Sequence, residues 1–289
     1  MTIAFIGLGR MGWHMAGHLA KQGHSLCVFD ANDEISQKWA QTFAGEVAQT
    51  LQAVTANAEV IITALPADAE LRLVWDQCFE QLSAGSIWID HSTTSAQIAR
   101  ELNAAGQRRE VCFIDAPVSG GTVGAENGTL TIMGGGDQTA WLQIEPIVNG
   151  YASKTTWLGA SGAGQLTKMA NQICVAGVGQ ALAEGLAFAE REGLNVQQVL
   201  EVMLKGSSTS WMMQNRSQAM INGQYEFGFS STLMKKDLRL VLQEAKQLGI
   251  ALPVTAVVAD LLDELATLAD PAWDWCSLME RQRQATNKP

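Results

Sequence analysis

The sequence predicts an α/β domain with a mostly parallel sheet, then a long connecting helix, then an all-α domain. Two observations support this prediction. In the first half, short runs that are apolar on both faces alternate with helical patterns, as is typical of a parallel sheet covered by helices on both sides. In the second half the helical patterns continue and no further strand signal appears.

The elements follow in a simple order along the chain. The first half has a helical pattern at 11–22 and apolar strand segments, which are 3–6, 26–29, 60–64, 86–90, 111–115, 130–133 and 154–157. The second half has helical patterns at about 164–192, 196–204, 211–221, 231–248 and 253–269. A glycine-rich stretch at 159–164 separates the halves. We therefore expect an α/β domain over 1–161 and an all-helical domain over 162–289 that starts with the long helix.

Composition limits the classes of partner and the compartment. The 289 residues are 47% hydrophobic and carry a formal net charge of −10, which argues against nucleic acid or an anionic membrane as the main partner. The five cysteines include no CxxC pair, so free thiols in a reducing compartment are expected. The first apolar run stops at Gly7, too short for a signal peptide or a membrane span. These features predict a cytoplasmic protein.

Residues 7–12 (GLGRMG) have the GxGxxG pattern, directly after the first strand and at the start of a helix. In such a turn the first glycine allows the tight bend and the second lets the backbone approach a pyrophosphate. The third allows close packing of the helix, whose N-terminus then faces the phosphates. This context predicts a Rossmann-type dinucleotide site. Its residues are Gly7, Leu8, Gly9, Arg10, Met11 and Gly12.

Asp30 ends the second strand, about 20 residues after the turn, where an acid that binds the ribose hydroxyls is expected. A role as a helix-capping residue is the alternative. The next four residues are Ala-Asn-Asp-Glu, and no basic residue follows before Lys38. A 2′-phosphate would be repelled here, so NAD is expected as the cofactor in preference to NADP.

Residues 115–125 (DAPVSGGTVGA) follow a predicted strand, and we expect Pro117 to end its pairing. Ser119 is followed by Gly120 and Gly121, so this turn exposes backbone N–H groups and one hydroxyl to a small anion. From chemistry alone, a structural turn and a carboxylate-binding site both remain open.

Lys168, Asn171 and Gln172 stand at i, i+3 and i+4, on one face of the predicted long helix. A lysine with two amides beside it can serve as a general acid/base, provided its surroundings lower its pKa from ~10.4. A solvated lysine is the alternative, since most lysines are exposed.

Four motifs occur in order: GLGRMG at 7–12, DAPVSGGTVGA at 115–125, GAGQLTKMANQ at 162–172 and LMKKDL at 233–238. Together they resemble the β-hydroxyacid dehydrogenase family, which includes 3-hydroxyisobutyrate dehydrogenases and tartronate semialdehyde reductases. The resemblance implies a 6-phosphogluconate dehydrogenase-like fold and an NAD(P)-dependent interconversion of a small β-hydroxy acid and its semialdehyde. It also implies assembly as a homodimer or homotetramer.

The resemblance also implies roles for individual residues. Ser119, Gly120 and Gly121 would hold the substrate carboxylate. Lys168 would be the acid/base, with Asn171 and Gln172 orienting it or the substrate hydroxyl. Further cofactor-binding positions are Leu65, Pro66, Thr93, Lys236 and Asp237, and Lys236 would also reach the substrate. Trp211 would line the substrate pocket, with plain packing as the alternative.

Three other functions are weighed against this one. The Asn-Gln pair at 171–172 is similar to that of the tartronate semialdehyde (2-hydroxy-3-oxopropionate) reductases. Imine reductases share the architecture but replace the lysine, and some relatives without it are non-catalytic binding proteins, so Lys168 argues against both. No metal site is predicted: His14 and His18 share a helix face, but no acid or cysteine completes a ligand set.

Overall fold

A computed structural model describes residues 1–284 of the chain. They form two compact units, one covering Met1–Lys168 and a second that begins at Met169. The predicted boundary between residues 161 and 162 lies earlier than this division. The difference arises because the first turn of the long helix is hydrogen-bonded to Asp115, a residue of the first unit.

The first unit contains a six-stranded sheet whose strands are all parallel. Its strands are β1 (Thr2–Ile6), β2 (Ser25–Phe29), β3 (Glu46–Val47), β4 (Val60–Thr63), β5 (Ile87–Asp90) and β6 (Cys112–Asp115). Their order across the sheet is β3-β2-β1-β4-β5-β6. The predicted parallel sheet is thus confirmed, and the order reverses next to β1, where ligands bind in open α/β sheets.

A second, three-stranded sheet begins directly after β6. It consists of β7 (Val118–Ser119), β8 (Leu130–Gly134) and β9 (Ala152–Trp157), with β7 antiparallel and β9 parallel to β8. The pairing of β6 with β5 ends at Asp115, before Pro117, as the sequence predicts. The chain then pairs within the second sheet, where the Pro117 carbonyl accepts a hydrogen bond from Met133 N at 3.0 Å, because proline lacks only the N–H donor.

Helices connect the strands of the first unit. They are α1 (Gly12–Lys21), α2 (Asp33–Phe43), α3 (Leu51–Thr55), α4 (Asp68–Cys78), α5 (Ala96–Gln107), α6 (Gly121–Glu126) and α7 (Gln138–Val148). The core on one side of the sheet includes Phe5, Trp39 and Trp141, and the core on the other side includes Trp75 and Trp88. Burial on both faces explains why the strand segments are apolar throughout.

The long helix α8 covers Ala163–Arg191. By length and composition it would be able to cross a membrane, but half of its apolar window is buried inside the protein, as in the core helix of a globular fold. Gly179 lies inside α8, and its close packing explains why a glycine stands there. A Cβ there would lie 2.0 Å from the ring of Trp275, so only glycine lets this ring lie against the helix.

The second unit is helical, and residues 169–284 contain no strand. After α8 its helices are α9 (Val196–Met203), α10 (Trp211–Asn222), α11 (Ser231–Leu248), α12 (Pro253–Leu265) and α13 (Leu278–Gln284). Its core is formed by buried side chains such as Met220, Leu238 and Leu262. The predicted all-α second half is confirmed.

Candidate active site

The turn at residues 7–12 contains three glycines, and a side chain would meet different surroundings at each of them. Gly7 has φ +95°, and a Cβ there would lie 2.4 Å from the carbonyl oxygen of Ala64. A Cβ on Gly12 would lie 1.9 Å from the carbonyl oxygen of Gly7. By contrast, a Cβ on Gly9 would meet nothing within 4 Å. The first and third glycines are thus required by the fold, and the second leaves open space above the turn.

This open space lies at the start of α1, and the residues around it fit a dinucleotide. Met11 at the N-cap of α1 makes no side-chain hydrogen bond to the helix, and the N–H groups and dipole of a helix N-terminus favour an anion such as a pyrophosphate. At the end of β2, Asp30 Oδ2 accepts a hydrogen bond from Leu8 N at 2.7 Å and Oδ1 accepts one from Asn32 N at 2.9 Å. A carboxylate has about four acceptor positions, so ribose hydroxyls can still donate to it.

The turns that follow β4 and β5 are tied to each other. Leu65 N donates to Ser92 Oγ at 2.9 Å, and Ser92 Oγ donates to Asp90 Oδ1 at 2.5 Å. Thr93, the next residue, is half-buried, and Pro66 is exposed. Two of the turns assigned to the cofactor are therefore held together by one buried serine.

Asp90 and Asp115 are fully buried and lie opposite each other at the ends of β5 and β6. Burial raises the pKa of Asp90 to about 7, and the neighbouring charge of Asp115 adds to this effect. Thr63 Oγ1 also donates to Asp90 Oδ1 at 2.8 Å. Within the described residues, Asp90 Oδ2 is buried without a hydrogen-bond partner, so the hydrogen bonds to this carboxyl group all fall on Oδ1.

His91 is also buried beside these carboxylates. Its Nδ1 lies 2.6 Å from the carbonyl oxygen of Ala116 and its Nε2 lies 2.7 Å from the hydroxyl of Tyr151. Burial lowers the pKa of His91 to about 4, so the ring is neutral at pH 7. The carbonyl can only accept, so Nδ1 carries the hydrogen and Nε2 accepts from Tyr151. His91 is therefore a structural link between the two sheets.

The loop after β7 has the backbone shape that the sequence pattern indicates. Ser119 is half-buried at the end of β7, and it is followed by Gly120 and Gly121 with φ +127° and +63°. A Cβ on Gly121 would meet nothing within 4 Å. Two successive positive φ angles require glycine here, and the open side of Gly121 leaves room for a small ligand beside the serine.

Asp115 fixes the start of α8. Its Oδ1 accepts a hydrogen bond from Gly162 N at 2.8 Å and its Oδ2 accepts one from Gln165 N at 3.0 Å. A Cβ on Gly164 would lie 2.3 Å from the carbonyl oxygen of Met133, so glycine permits this close approach. Burial raises the pKa of Asp115 to about 6, although the helix N–H groups oppose the rise.

Lys168 lies one turn after this anchored start and is only 8% exposed. The alternative of a solvated lysine is therefore wrong for this chain. Lysine side chains are rarely this buried, so a functional role is expected for Lys168.

In the second unit, four predicted site residues form one chain of polar contacts. Asn171 Nδ2 donates to Gln172 Oε1 at 2.9 Å, and Gln172 Nε2 donates to Asp237 Oδ2 at 2.7 Å. Lys236 Nζ lies 3.1 Å from Asp237 Oδ1. Gln172 thus links Asn171 to the buried Asp237. Lys236 also lines a cavity of about 370 Å³ between α11 and α12, together with Lys235 and Arg239.

Trp211 begins α10 and is half-exposed. The Arg216 guanidinium lies 5.0 Å from the centre of its ring and 4.9 Å from that of Phe227. Trp211 therefore contacts a cation of its own helix. Within residues 1–284, no group of three or more His, Cys, Asp or Glu side chains is placed to hold a metal ion. His18 Nε2 instead lies 3.0 Å from the carbonyl oxygen of Ala125.

Sequence reasoning assigned no role to the buried carboxylates at the ends of β5 and β6. A signal was present: each strand is an apolar run that ends directly in aspartate, at Asp90 and Asp115. Gln165 was also missed, although it is completely buried within the third motif.

Comparison with known proteins agrees with this arrangement. Residues 2–159 match the NAD binding domain of 6-phosphogluconate dehydrogenase. Residues 162–281 match the domain described as NAD-binding of NADP-dependent 3-hydroxyisobutyrate dehydrogenase. Each match covers one part of the predicted organisation.

Individual relatives match over nearly the whole chain. An uncharacterized oxidoreductase of Shewanella frigidimarina is 44% identical, over 96% of this chain and 97% of the relative. The 2-hydroxy-3-oxopropionate reductase of Escherichia coli is 33% identical, over 97% and 96%. A solved 3-hydroxyisobutyrate dehydrogenase of Mycobacterium tuberculosis, with L-serine, is 30% identical with a TM-score of 0.89, over 98% of this chain and 99% of that one. This chain therefore belongs to the β-hydroxyacid dehydrogenase family of NAD(P)-binding oxidoreductases.

Proposed function

We propose that the chain is an NAD-dependent dehydrogenase that interconverts a small β-hydroxy acid and its semialdehyde, with Lys168 as the proton carrier. The observation that carries this proposal is the buried Lys168, one turn after a helix start that Asp115 holds in place. A buried amine on a fixed helix can exchange a proton with a substrate hydroxyl at one defined point.

The chemistry divides between cofactor and protein. The turn at 7–12 and Asp30 would hold NAD⁺, which would supply the acceptor for the hydride that leaves the hydroxyl-bearing carbon. In our proposal the neutral amine of Lys168 accepts the hydroxyl proton, and in the reverse direction the charged ammonium returns it and stabilises the developing alkoxide. Ser119 Oγ and the backbone N–H groups of the two following glycines bind the substrate carboxylate. Asn171 orients the reacting groups, and Trp211 and Lys236 contact the substrate.

A spectrophotometric assay with a matched variant tests the proposal. Reduced nicotinamide is followed by absorbance with 3-hydroxyisobutyrate, 3-hydroxypropionate, glycerate, serine and 4-hydroxybutyrate. Removing a general acid/base costs about 10²–10⁴-fold in rate, so Lys168→Met is expected to lose this much kcat on the acid that wild type oxidises. The exposed Lys154 gives the control Lys154→Met, which retains wild-type kcat. Full activity in Lys168→Met would contradict the proposal.

Tartronate semialdehyde reduction is the second candidate, because the pair Asn171-Gln172 resembles that subgroup and one matched relative is a 2-hydroxy-3-oxopropionate reductase. The same panel, run in reverse with NADH and the semialdehydes, separates the two. A kcat/KM for tartronate semialdehyde well above that for the other semialdehydes would favour the reductase. NADH binding without turnover in either direction would favour a non-catalytic module.

The pH dependence gives an independent check. Oxidation needs neutral Lys168 and reduction needs the charged form, so kcat for oxidation rises towards alkaline pH and kcat for reduction rises towards lower pH. Flat and matching profiles in both directions would contradict Lys168 as the proton carrier.

The preference for NAD over NADP is supported by charge. Asp30 is followed by the exposed acids Asp33 and Glu34, and a 2′-phosphate bound beside them would be repelled because like charges repel. We expect Ala31→Arg, which leaves the Asp30 hydrogen bonds intact, to shift kcat/KM about tenfold towards NADP by supplying a cation. A lower KM for NADPH than for NADH in wild type would contradict the proposed preference.

We also propose that the protein works in the cytoplasm as a homodimer or homotetramer, without nucleic acid or membrane partners. The five cysteines are free, which suits a reducing compartment. Exposed apolar side chains on α8, among them Val178 and Phe188, suit burial against a second copy. Light scattering tests the assembly, and a monomer at micromolar concentration would contradict it.

A further inference from the structure

Both polar atoms of the Gln165 side chain and its backbone N–H take part in buried hydrogen bonds. It is completely buried. Its Oε1 accepts from Thr94 N at 3.1 Å and its Nε2 donates to the carbonyl oxygen of Ser92 at 2.8 Å. Its own backbone N donates to Asp115 Oδ2 at 3.0 Å. One side chain therefore joins the segment after β5 to the first turn of α8.

Gln165 connects two segments that take part in the proposed reaction, the segment around Thr93 and the helical turn of Lys168. Ser92 and Thr94 flank Thr93, which is assigned to the cofactor, and the Gln165 amide bonds to the backbone on both sides of it. Lys168 follows Gln165 by three residues, on nearly the same face of the helix. The backbone around Thr93 and the helical turn that carries Lys168 are thus linked through a single amide.

Glutamine suits this link because its planar amide carries N–H donors and an acceptor oxygen side by side. A carboxylate would accept from Thr94 N but would face the Ser92 carbonyl with no hydrogen to donate. Hydride transfer depends steeply on geometry, and a displacement of about 1 Å can cost about 100-fold in rate. A residue that fixes the spacing between the Thr93 segment and the Lys168 turn therefore contributes to kcat more than to substrate binding.

We infer that Gln165 is a positioning residue, which sets the spacing between the Thr93 segment and the Lys168 turn for hydride and proton transfer. This inference rests on the proposed dehydrogenase function. Gln165 touches neither substrate nor cofactor in this role and acts through Ser92, Thr94 and the helix start.

Three variants test the role. Gln165→Met keeps the size and removes both side-chain hydrogen bonds. Gln165→Glu keeps the acceptor and has the donor only while the introduced carboxyl is protonated. Gln180→Met is the control, because Gln180 is a buried glutamine of the same helix that donates to Glu184 Oε1.

The kinetic readouts are kcat, KM, the dissociation constant of NADH, and the isotope effect with substrate deuterated at the hydroxyl-bearing carbon. For Gln165→Met we expect kcat to fall about 10- to 100-fold, the isotope effect to rise, and KM and NADH binding to change less than about threefold. For Gln165→Glu, the kcat ratio to wild type falls as the pH rises and the donor is lost. Gln180→Met is expected to match wild type in kcat, KM, NADH dissociation constant and isotope effect.

A structural readout that needs no turnover accompanies these measurements. The Thr94 amide is expected to exchange its hydrogen at least about tenfold faster in Gln165→Met, because local opening no longer breaks a hydrogen bond. Unchanged exchange would overturn the link itself. Faster exchange with wild-type kcat and isotope effect would overturn the positioning role, since the bonds would then support only the fold. Wild type without turnover on the whole panel would instead contradict the proposed function and, with it, the catalytic part of this inference.

Discussion

The nucleotide turn at 7–12 and the helix start at 162–168 serve neighbouring steps of one reaction in our proposal, but they are built differently. At the turn, the backbone itself forms the surface that faces a ligand, and Gly9 leaves open space there. At the helix start, buried side chains, Asp115 and Gln165, hold the backbone in place. A ligand surface made of backbone requires glycines at fixed spacings in the sequence. A buried side-chain network uses polar residues that look the same in a sequence as exposed ones. The first kind is therefore visible in a sequence, and the second is visible only in a structure.

The largest effect is expected from alanine at the glycines of the turn, which also separates their two roles. In Gly12→Ala the new Cβ would lie 1.9 Å from the Gly7 carbonyl oxygen. Overpacking of this severity costs about 3 kcal/mol or more, so we expect the melting temperature to fall by roughly 6 °C or more and NADH binding to be lost.

Gly9→Ala is the matched partner of that variant. Its Cβ meets nothing within 4 Å, so the melting temperature is expected to stay within about 2 °C of wild type. NADH binding still weakens at least about tenfold, because the methyl group keeps the pyrophosphate from the backbone. Thermal unfolding and NADH titration measure both variants, and wild-type NADH affinity in Gly9→Ala would contradict a phosphate site at this turn.

A smaller loss of stability is expected when asparagine replaces an aspartate that accepts hydrogen bonds at a helix start. Asp115 and Asp137 allow a matched comparison. Asp137 caps α7 with one hydrogen bond to Ala140 N, and asparagine caps a helix about as well, so Asp137→Asn changes the unfolding free energy by less than about 0.5 kcal/mol. Asp115 accepts two bonds while fully buried. In Asp115→Asn an amide donor faces an N–H donor, at a cost of about 2 kcal/mol.

Denaturant unfolding of the two asparagine variants decides this comparison. Equal losses in both would mean that Asp115 is an ordinary cap. The side-chain network would then contribute little to holding the start of α8.

The smallest effect is a difference in pH dependence at the buried polar network. Burial raises the pKa of Asp90 from 3.8 to about 7, so the folded protein keeps a proton that the unfolded chain releases. The resulting stabilisation is complete below about pH 4 and is lost as the pH rises through about 7. The unfolding free energy of wild type relative to Asp90→Asn therefore falls by up to about 1.4 kcal/mol between pH 5 and 6.

His91 gives a control of opposite sign. Burial lowers its pKa from 6.5 to about 4, so the unfolded chain takes up a proton that the folded protein excludes. Its contribution to stability is complete above pH 6.5 and is lost as the pH falls through about 4. The difference between wild type and His91→Gln therefore rises with pH across this window, and parallel slopes for the two variants would contradict the assignment.

Much of the fold is readable from the sequence because its signals are local. The apolar runs of β1, β4, β5 and β6 and the helical patterns after residue 163 are present in the chain as periodicities. The short strands β3 and β7 have two residues each, too few for any period. The split into two sheets was missed because the apolar segments at 130–133 and 154–157 look like further strands of the first sheet, and β7, which starts the second sheet, is too short to show a pattern.

The candidate site divides in the same way. The glycines of the turn and Asp30 stand at spacings that a motif describes, and the structure places them where the pattern indicates. The partners of Asp90, Asp115 and Gln165 lie 2 to 73 residues away along the chain. No spacing rule encodes such pairs, so these residues have to be found by burial and hydrogen bonding.

The anchored start of α8 also restricts where this chain can gain or lose residues. Each residue of an α-helix turns the chain by about 100°. One residue inserted between Gln165 and Lys168 would leave both anchoring aspartate bonds intact and still turn the lysine about a quarter of the way around the helix. The interval between these two residues is therefore a fixed length, and insertions can be accommodated only outside it.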